Sequence, residues 1–203
     1  HLDIIRENKY SFLNPKNFEL EFSKANIEKK ILLTIDDAFS SFYLNAWPIL
    51  KRDKIPFILF VSTETVGKNG YMNWSEIIEI SKEEFVFIGN HSHSHEYLVK
   101  YEFQKFREDI IKSINTFKEN LGYNSKFFSY PFGEYSLAQK KYINENNKDK
   151  LYDDVYKCTY LLFLFHNAPS LALRGSVTRS ELQALRRWPF LPMTVHAMMF
   201  ADA

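Results

Sequence analysis

Between residues 30 and 147, short apolar runs alternate with longer stretches whose apolar residues recur every three or four positions. That alternation is the pattern of βα units built on a largely parallel sheet. Ile31-Leu32-Leu33-Thr34-Ile35 predicts a first buried strand, Pro56 to Val61 a second, Phe85-Val86-Phe87-Ile88 a third and Lys126 to Tyr130 a fourth. Helices are expected over Ser40 to Lys51, with Pro48 late in the pattern, and over Leu137 to Asn146. Another should start after Asn73, an N-cap residue with Glu76 three positions on, and carry Ile77, Ile78 and Ile80 on its apolar face. The strongest periodicity lies in Tyr101 to Leu121, where Phe103, Phe106, Ile110, Ile114 and Phe117 share a face and Gly122 stands at the C-terminal cap. Four βα units in order predict an α/β fold, either a barrel or an open doubly wound sheet.

Composition narrows this further. The chain has 203 residues, 45% of them hydrophobic, which suffices for one domain over 1–203 with a substantial core. Basic and acidic residues nearly balance, 26 against 25, so no general basic field exists for nucleic acid and none is expected as a partner. The longest apolar run, Tyr160 to Phe165, is strand-sized, so no membrane span is expected, and residues 1–30 do not read as a secretory signal. A single cysteine, Cys158, excludes an internal disulfide and a cysteine-rich zinc site. Past Lys157 the composition shifts: lysine disappears, isoleucine is absent beyond Ile143, and alanine becomes frequent. Residues 158–203 are therefore expected to be an atypical end of the fold, either with its own packing role or foreign to the rest.

Two clusters carry chemistry. Asp36-Asp37 directly follows the first predicted strand, at the end where α/β folds place catalytic groups. A turn there would aim one carboxylate at a metal and leave the other for proton transfer; a plain helix N-terminus is the alternative. Gly89-Asn90-His91-Ser92-His93-Ser94-His95 follows the third strand and holds three of the six histidines. A helical turn would put His91 and His95 on one face, whereas an extended chain would align all three histidines. One carboxylate with two imidazoles leaves coordination positions open, as a catalytic metal site requires, and points to hydrolysis. A third segment, Tyr130-Pro131-Phe132-Gly133, forms a fixed turn after the fourth strand, with an exposed backbone N–H as a candidate oxyanion donor and aromatic rings suited to sugar faces.

At these residues the chain resembles the polysaccharide deacetylases, the NodB-homology carbohydrate esterases. Thr34-Ile35-Asp36-Asp37 is similar to their Thr-Phe-Asp-Asp motif, His91-Ser92-His93-Ser94-His95 to their His-Ser/Thr-x-x-His motif, and Tyr130-Pro131-Phe132-Gly133 to their groove-shaping turn. The resemblance covers about residues 28–147. It implies a distorted, incomplete (β/α) barrel and a divalent metal, usually zinc, held by Asp37, His91 and His95. Asp36 would be the base for attack by metal-bound water, and Ser92 a loop-bracing hydrogen-bonder. The implied substrate is an N-acetylglucosamine-containing polysaccharide, contacted by Tyr130, Pro131, Phe132 and Gly133, and the implied location is the cell envelope or outside the cell.

Three departures stand out: Ile35 replaces the usual Phe, Ala38 the usual Gly, and Ser129 an Arg that in many members orients the base. The family's late histidine, its general acid, has two candidates here, His166 in Leu162-Phe163-Leu164-Phe165-His166 and His196 in Thr194-Val195-His196. Neither lies in a convincing copy of the motif. A silent metal- and sugar-binding module and a metal amidohydrolase of another amide are the alternative readings.

Overall fold

The computed structural model describes residues 2–7, 9–17, 30–145 and the backbone of 195–200. A short helix α1 (Leu2–Glu7) and a two-residue strand β1 (Ser11–Phe12) lead to β2 (Lys30–Ile35). A π-helical turn (Phe42–Ala46) then runs into α2 (Trp47–Asp53), followed by β3 (Phe57–Val61), α3 (Trp74–Ser81) and β4 (Val86–Asn90). After these come α4 (Phe103–Leu121), α5 (Leu137–Glu145) and a last strand, β5 (Val195–Phe200).

Strand order separates the two architectures left open by the periodicity. The sheet runs β1-β2-β3-β4, and these neighbours all pair in parallel, with Leu33 opposite Phe57 and Val61 opposite Asn90. A doubly wound sheet reverses its strand order at a switch point, whereas a (β/α) barrel lays each new strand beside the previous one. Over the described residues the fold is therefore part of a barrel of the second kind. β5 pairs antiparallel with β2 over its whole length, from Lys30 opposite Phe200 to Ile35 opposite Val195.

Alternation along the strands divides the core into two faces. Phe57, Leu59 and Val61 of β3, with Leu33 and Ile35 of β2, pack against Phe42, Trp47, Leu50, Ile77 and Ile80 from the helical side. Leu32, Ile58 and Phe60 turn the other way and meet Phe127 and Leu13. With both faces covered, the strands need continuous apolar sequence, which is why the runs were legible as buried strands. Gly89 in β4 is required by this packing, because a β-carbon there would collide with the Phe60 ring.

The capping box at Asn73 forms in full: its side chain accepts from Glu76 N at 3.0 Å, and Glu76 accepts from Asn73 N at 2.8 Å. Gly122 closes α4 with φ 78°. The helix over Ser40 to Lys51 forms, but not uniformly: after Ser40 and Ser41 the turn widens, Trp47 N–H donates to Phe42 O, five residues back, and regular α-helix resumes at Trp47. Pro48 has no N–H to give the preceding turn, so that turn widens ahead of it.

The fourth strand does not form a ladder. Residues 126–130 run beside β4 through a single parallel bridge, Asn90 with Phe128. Ser125 Oγ takes up the groups the next ladder bond would use, accepting from Phe127 N and donating to Ile88 O, and Pro131 then removes the donor on the other side of the bridge.

Candidate metal centre

Each of the two chemical clusters sits at the C-terminal end of a parallel strand. Asp36 directly follows β2 and is buried, and Asp37 next to it turns into the left-handed region, φ 72°, with Ala38 at φ 51°. This reversal brings the Asp37 carboxylate out over the strand end. Two consecutive non-glycine residues in that region cost on the order of 1–3 kcal/mol each, a strain that clusters at functional sites.

His91 directly follows β4, and its placement is determined from both neighbouring loops. Its N–H donates to Val61 O at 3.0 Å, and Ser62 Oγ donates to its carbonyl at 2.7 Å. Its Nδ1 lies 2.8 Å from Ser129 O. A carbonyl only accepts, so Nδ1 carries the hydrogen and Nε2 keeps its lone pair. That Nε2 lies 3.6 Å from Asp37 Oδ1, and His95 Nε2 lies 2.8 Å from the same oxygen.

The histidine segment is neither helical nor extended. Ser92 at φ 71° and His95 at φ 55° fold it into an irregular loop, which brings His91 and His95 together and turns His93 away to Thr63 Oγ1, 2.7 Å from its Nδ1. Ser92 Oγ accepts from His95 N at 3.1 Å, and Asn90 Oδ1 accepts from Ser92 N at 2.8 Å. Asn90 Nδ2 in turn donates to Ser113 Oγ, 2.8 Å away on α4.

Asp109, also on α4, accepts from His93 N at 2.8 Å and Ser94 N at 3.0 Å. The sequence reading missed Asp109, Asn90 and Ser113. The available signal was a carboxylate and a hydroxyl within an apolar stripe, Phe106-Asp109-Ile110-Ser113-Ile114-Phe117, where all six are buried.

Of the turn residues singled out for substrate contact, Tyr130 and Pro131 are buried, and Tyr130 packs against Phe128 and Tyr135. Burial raises the Tyr130 phenol well above its ordinary pKa, with Tyr135 adding to the effect. Gly133 N–H closes the turn on Tyr130 O at 2.9 Å. Phe132 differs from its neighbours: it is 50% exposed, at φ 60°, with its ring centroid 5.3 Å from that of His95. Ser129 supplies its carbonyl to His91, while its buried Oγ finds no hydrogen-bond partner among the described residues. His166 lies outside the described residues; the backbone of His196 pairs with Thr34, two positions before Asp36.

The donor set suits a divalent ion. Asp37, His91 and His95 each offer one ligand atom, and these lie within 4.8 Å of one another, so that small side-chain rotations would bring all three to roughly 2 Å from one ion. Burial pushes the His91 imidazole below the usual histidine pKa against the charges of Asp36 and Asp37, which favours the neutral form a metal needs. Burial acts the same way on His95, but the hydrogen bond and charge of Asp37, with the charge of Asp36, outweigh it and raise its pKa. The fixed Nδ1–H of His91 is the outer hydrogen bond that metal-ligating histidines normally make.

Residues 23–149 match the polysaccharide deacetylase family, and the chain belongs to it. It is similar to the poly-beta-1,6-N-acetyl-D-glucosamine N-deacetylase of Staphylococcus aureus (strain MRSA252), with 29% identity over 64% of this chain and 49% of that protein. The chain spans about half the length of the curated relatives it matches. Among solved structures it resembles IcaB from Ammonifex degensii, with a TM-score of 0.63, 28% identity, and coverage of 71% of this chain and 69% of that one. The Streptococcus pyogenes deacetylase PplD, solved in complex with acetate, shares the fold, with a TM-score of 0.61, 22% identity and coverage of 69% and 63%.

Proposed function

We propose that the chain removes acetyl groups from an N-acetylglucosamine-containing polysaccharide, with Asp37, His91 and His95 holding a divalent ion, zinc by preference, and Asp36 acting as base. The observation that carries this reading is the convergence of one carboxylate oxygen and two imidazole nitrogens beside a second, buried carboxylate. Family membership and the name of the Staphylococcus aureus relative support the choice of substrate. Bound there, the ion supplies Lewis acidity toward an amide carbonyl and lowers the pKa of water to roughly 7.

The protein's own groups do the remaining work. Asp36, whose charge bears on both His91 and His95, is adjacent to the ligand set and takes the proton of the attacking water. Ser129 O holds His91 in the tautomer whose Nε2 faces the centre. Asn90, Ser92 and Asp109 fix the loop that carries both histidines. Phe132 walls one side of the site beside His95. The amine that leaves must be protonated, a role for which the sequence offers His166, His196 or neither.

The test combines metal content with acetate release from N-acetylglucosamine oligomers. Wild type should carry about one metal per chain, His91→Ala should lose it, and Asp36→Asn should keep it while acetate release falls by two or more orders of magnitude. Metal without acetate release in the wild type would sink the deacetylase reading and favour a silent sugar-binding module. Absence of metal would sink the ligand assignment.

A further inference from the structure

Beyond the ligand loop, the segments that follow β4 and residue 129 are joined a second time, on the outer rim. The Tyr97 hydroxyl donates to the Glu134 carboxylate, a bond between residues 37 positions apart in sequence. Between the Tyr97 and His95 rings stands Phe132, whose ring meets the first edge-on at 5.7 Å and the second at 5.3 Å. Lys100 Nζ lies 4.9 Å from the Tyr97 ring centroid, so the tyrosine is held at both its hydroxyl and its face.

Phe132 is left-handed and half exposed. A large apolar ring held at the mouth of a polar site against both exposure and backbone preference points to a surface awaiting an apolar ligand face. A pyranose presents such a face on its axial C–H side. The Tyr97–Glu134 bond fixes the position of the ring that Phe132 leans on, and so fixes Phe132 itself.

We propose that Tyr97 and Glu134 are a positioning pair that holds Phe132 as a stacking platform for the sugar ring whose acetamido group lies at the metal centre. The inference rests on the deacetylase reading and deepens it by naming residues outside the three motifs. The pair touches no reacting atom. Its loss should weaken ground-state and transition-state binding equally, a rise in KM with kcat little changed.

The experiment measures kcat and KM on N-acetylglucosamine tetramer, with metal content, for Tyr97→Phe, Glu134→Ala and Glu134→Gln in the full chain. Expected are KM increases of about tenfold for Tyr97→Phe and Glu134→Ala with kcat within about twofold. Glu134→Gln, which keeps an acceptor for the tyrosine, should recover most of the loss. Unchanged KM in Tyr97→Phe and Glu134→Ala would overturn the proposal. So would a joint fall of kcat and metal content with no recovery in Glu134→Gln, because the pair would then be merely structural. If wild type releases no acetate, the deacetylase reading fails separately, and titration of the tetramer decides the pair: about tenfold weaker binding in Tyr97→Phe supports it, and equal or absent binding overturns it.

Discussion

Asp109 illustrates how much of the proposed metal site lies outside its ligands. Its carboxylate holds two consecutive backbone N–H groups, His93 and Ser94, between the two histidines proposed as ligands. Asp109→Ala leaves both donors without that acceptor in a partly buried loop, at a cost of about 1–3 kcal/mol in stability. Because the loop sets the spacing of His91 and His95, metal affinity should also fall by about 10–100-fold. Competition with a chromophoric chelator measures the second effect and chemical denaturation the first; unaltered affinity would mean that the loop holds its shape without α4. Gly89 is the apolar counterpart. A methyl there meets Phe60, and Ile58 Cγ2 at 3.1 Å, so Gly89→Ala should destabilise by about 1–3 kcal/mol and, two residues before His91, weaken metal binding with it. Equal melting temperatures for Gly89→Ala and wild type would show that Phe60 can move aside.

At the level of elements, the α3 cap is separate from the site. Asn73→Ala removes the bond from Glu76 N to the Asn73 side chain and keeps the backbone N–H that Glu76 accepts, so stability should drop by about 1 kcal/mol. Metal content should stay at the wild-type level, which makes this variant a control for Asp109→Ala; a loss of metal here would mean that α3 bears on the site. Such local grammar was legible in the sequence because it rests on neighbours: the Asn73–Glu76 box, the Gly122 cap and the apolar runs of β2, β3 and β4 all formed. The elements that departed from expectation depend on groups the pattern does not weigh. Pro48 reshapes the helix before it, and Ser125 captures the main chain that a fourth ladder would need. In the site, places after strands marked Asp36-Asp37 and the segment His91 to His95 as chemical clusters, and the resemblance to the polysaccharide deacetylases singled out Asp37, His91 and His95 as ligands with Asp36 as base. It left open how the histidine segment folds, since the left-handed turns at Ser92 and His95 depend on Asn90 and on a helix 16 residues downstream of His93.

Over the whole molecule, the site spans the sheet. Asp37 leaves β2 and both histidines leave the end of β4, with β3 paired between them. A divalent ion on these three side chains therefore ties two strands that are not neighbours, and it binds the folded chain with no equivalent site in the unfolded one. Stability should then follow metal activity: at 100 times the dissociation constant the gain is about 2.7 kcal/mol, and a chelator should remove it. Thermal melts over a zinc series should show a melting temperature that climbs with metal, and His95→Ala should flatten the series. The same variant also takes the His95–Asp37 contact of 2.8 Å from a largely buried carboxylate, so stripped of metal it should melt below wild type, and the slope of the zinc series rather than its starting point reads out the ion. A metal-dependent rise that survives in His95→Ala would mean that the ion binds elsewhere on the chain, and the three-residue centre would have to be abandoned.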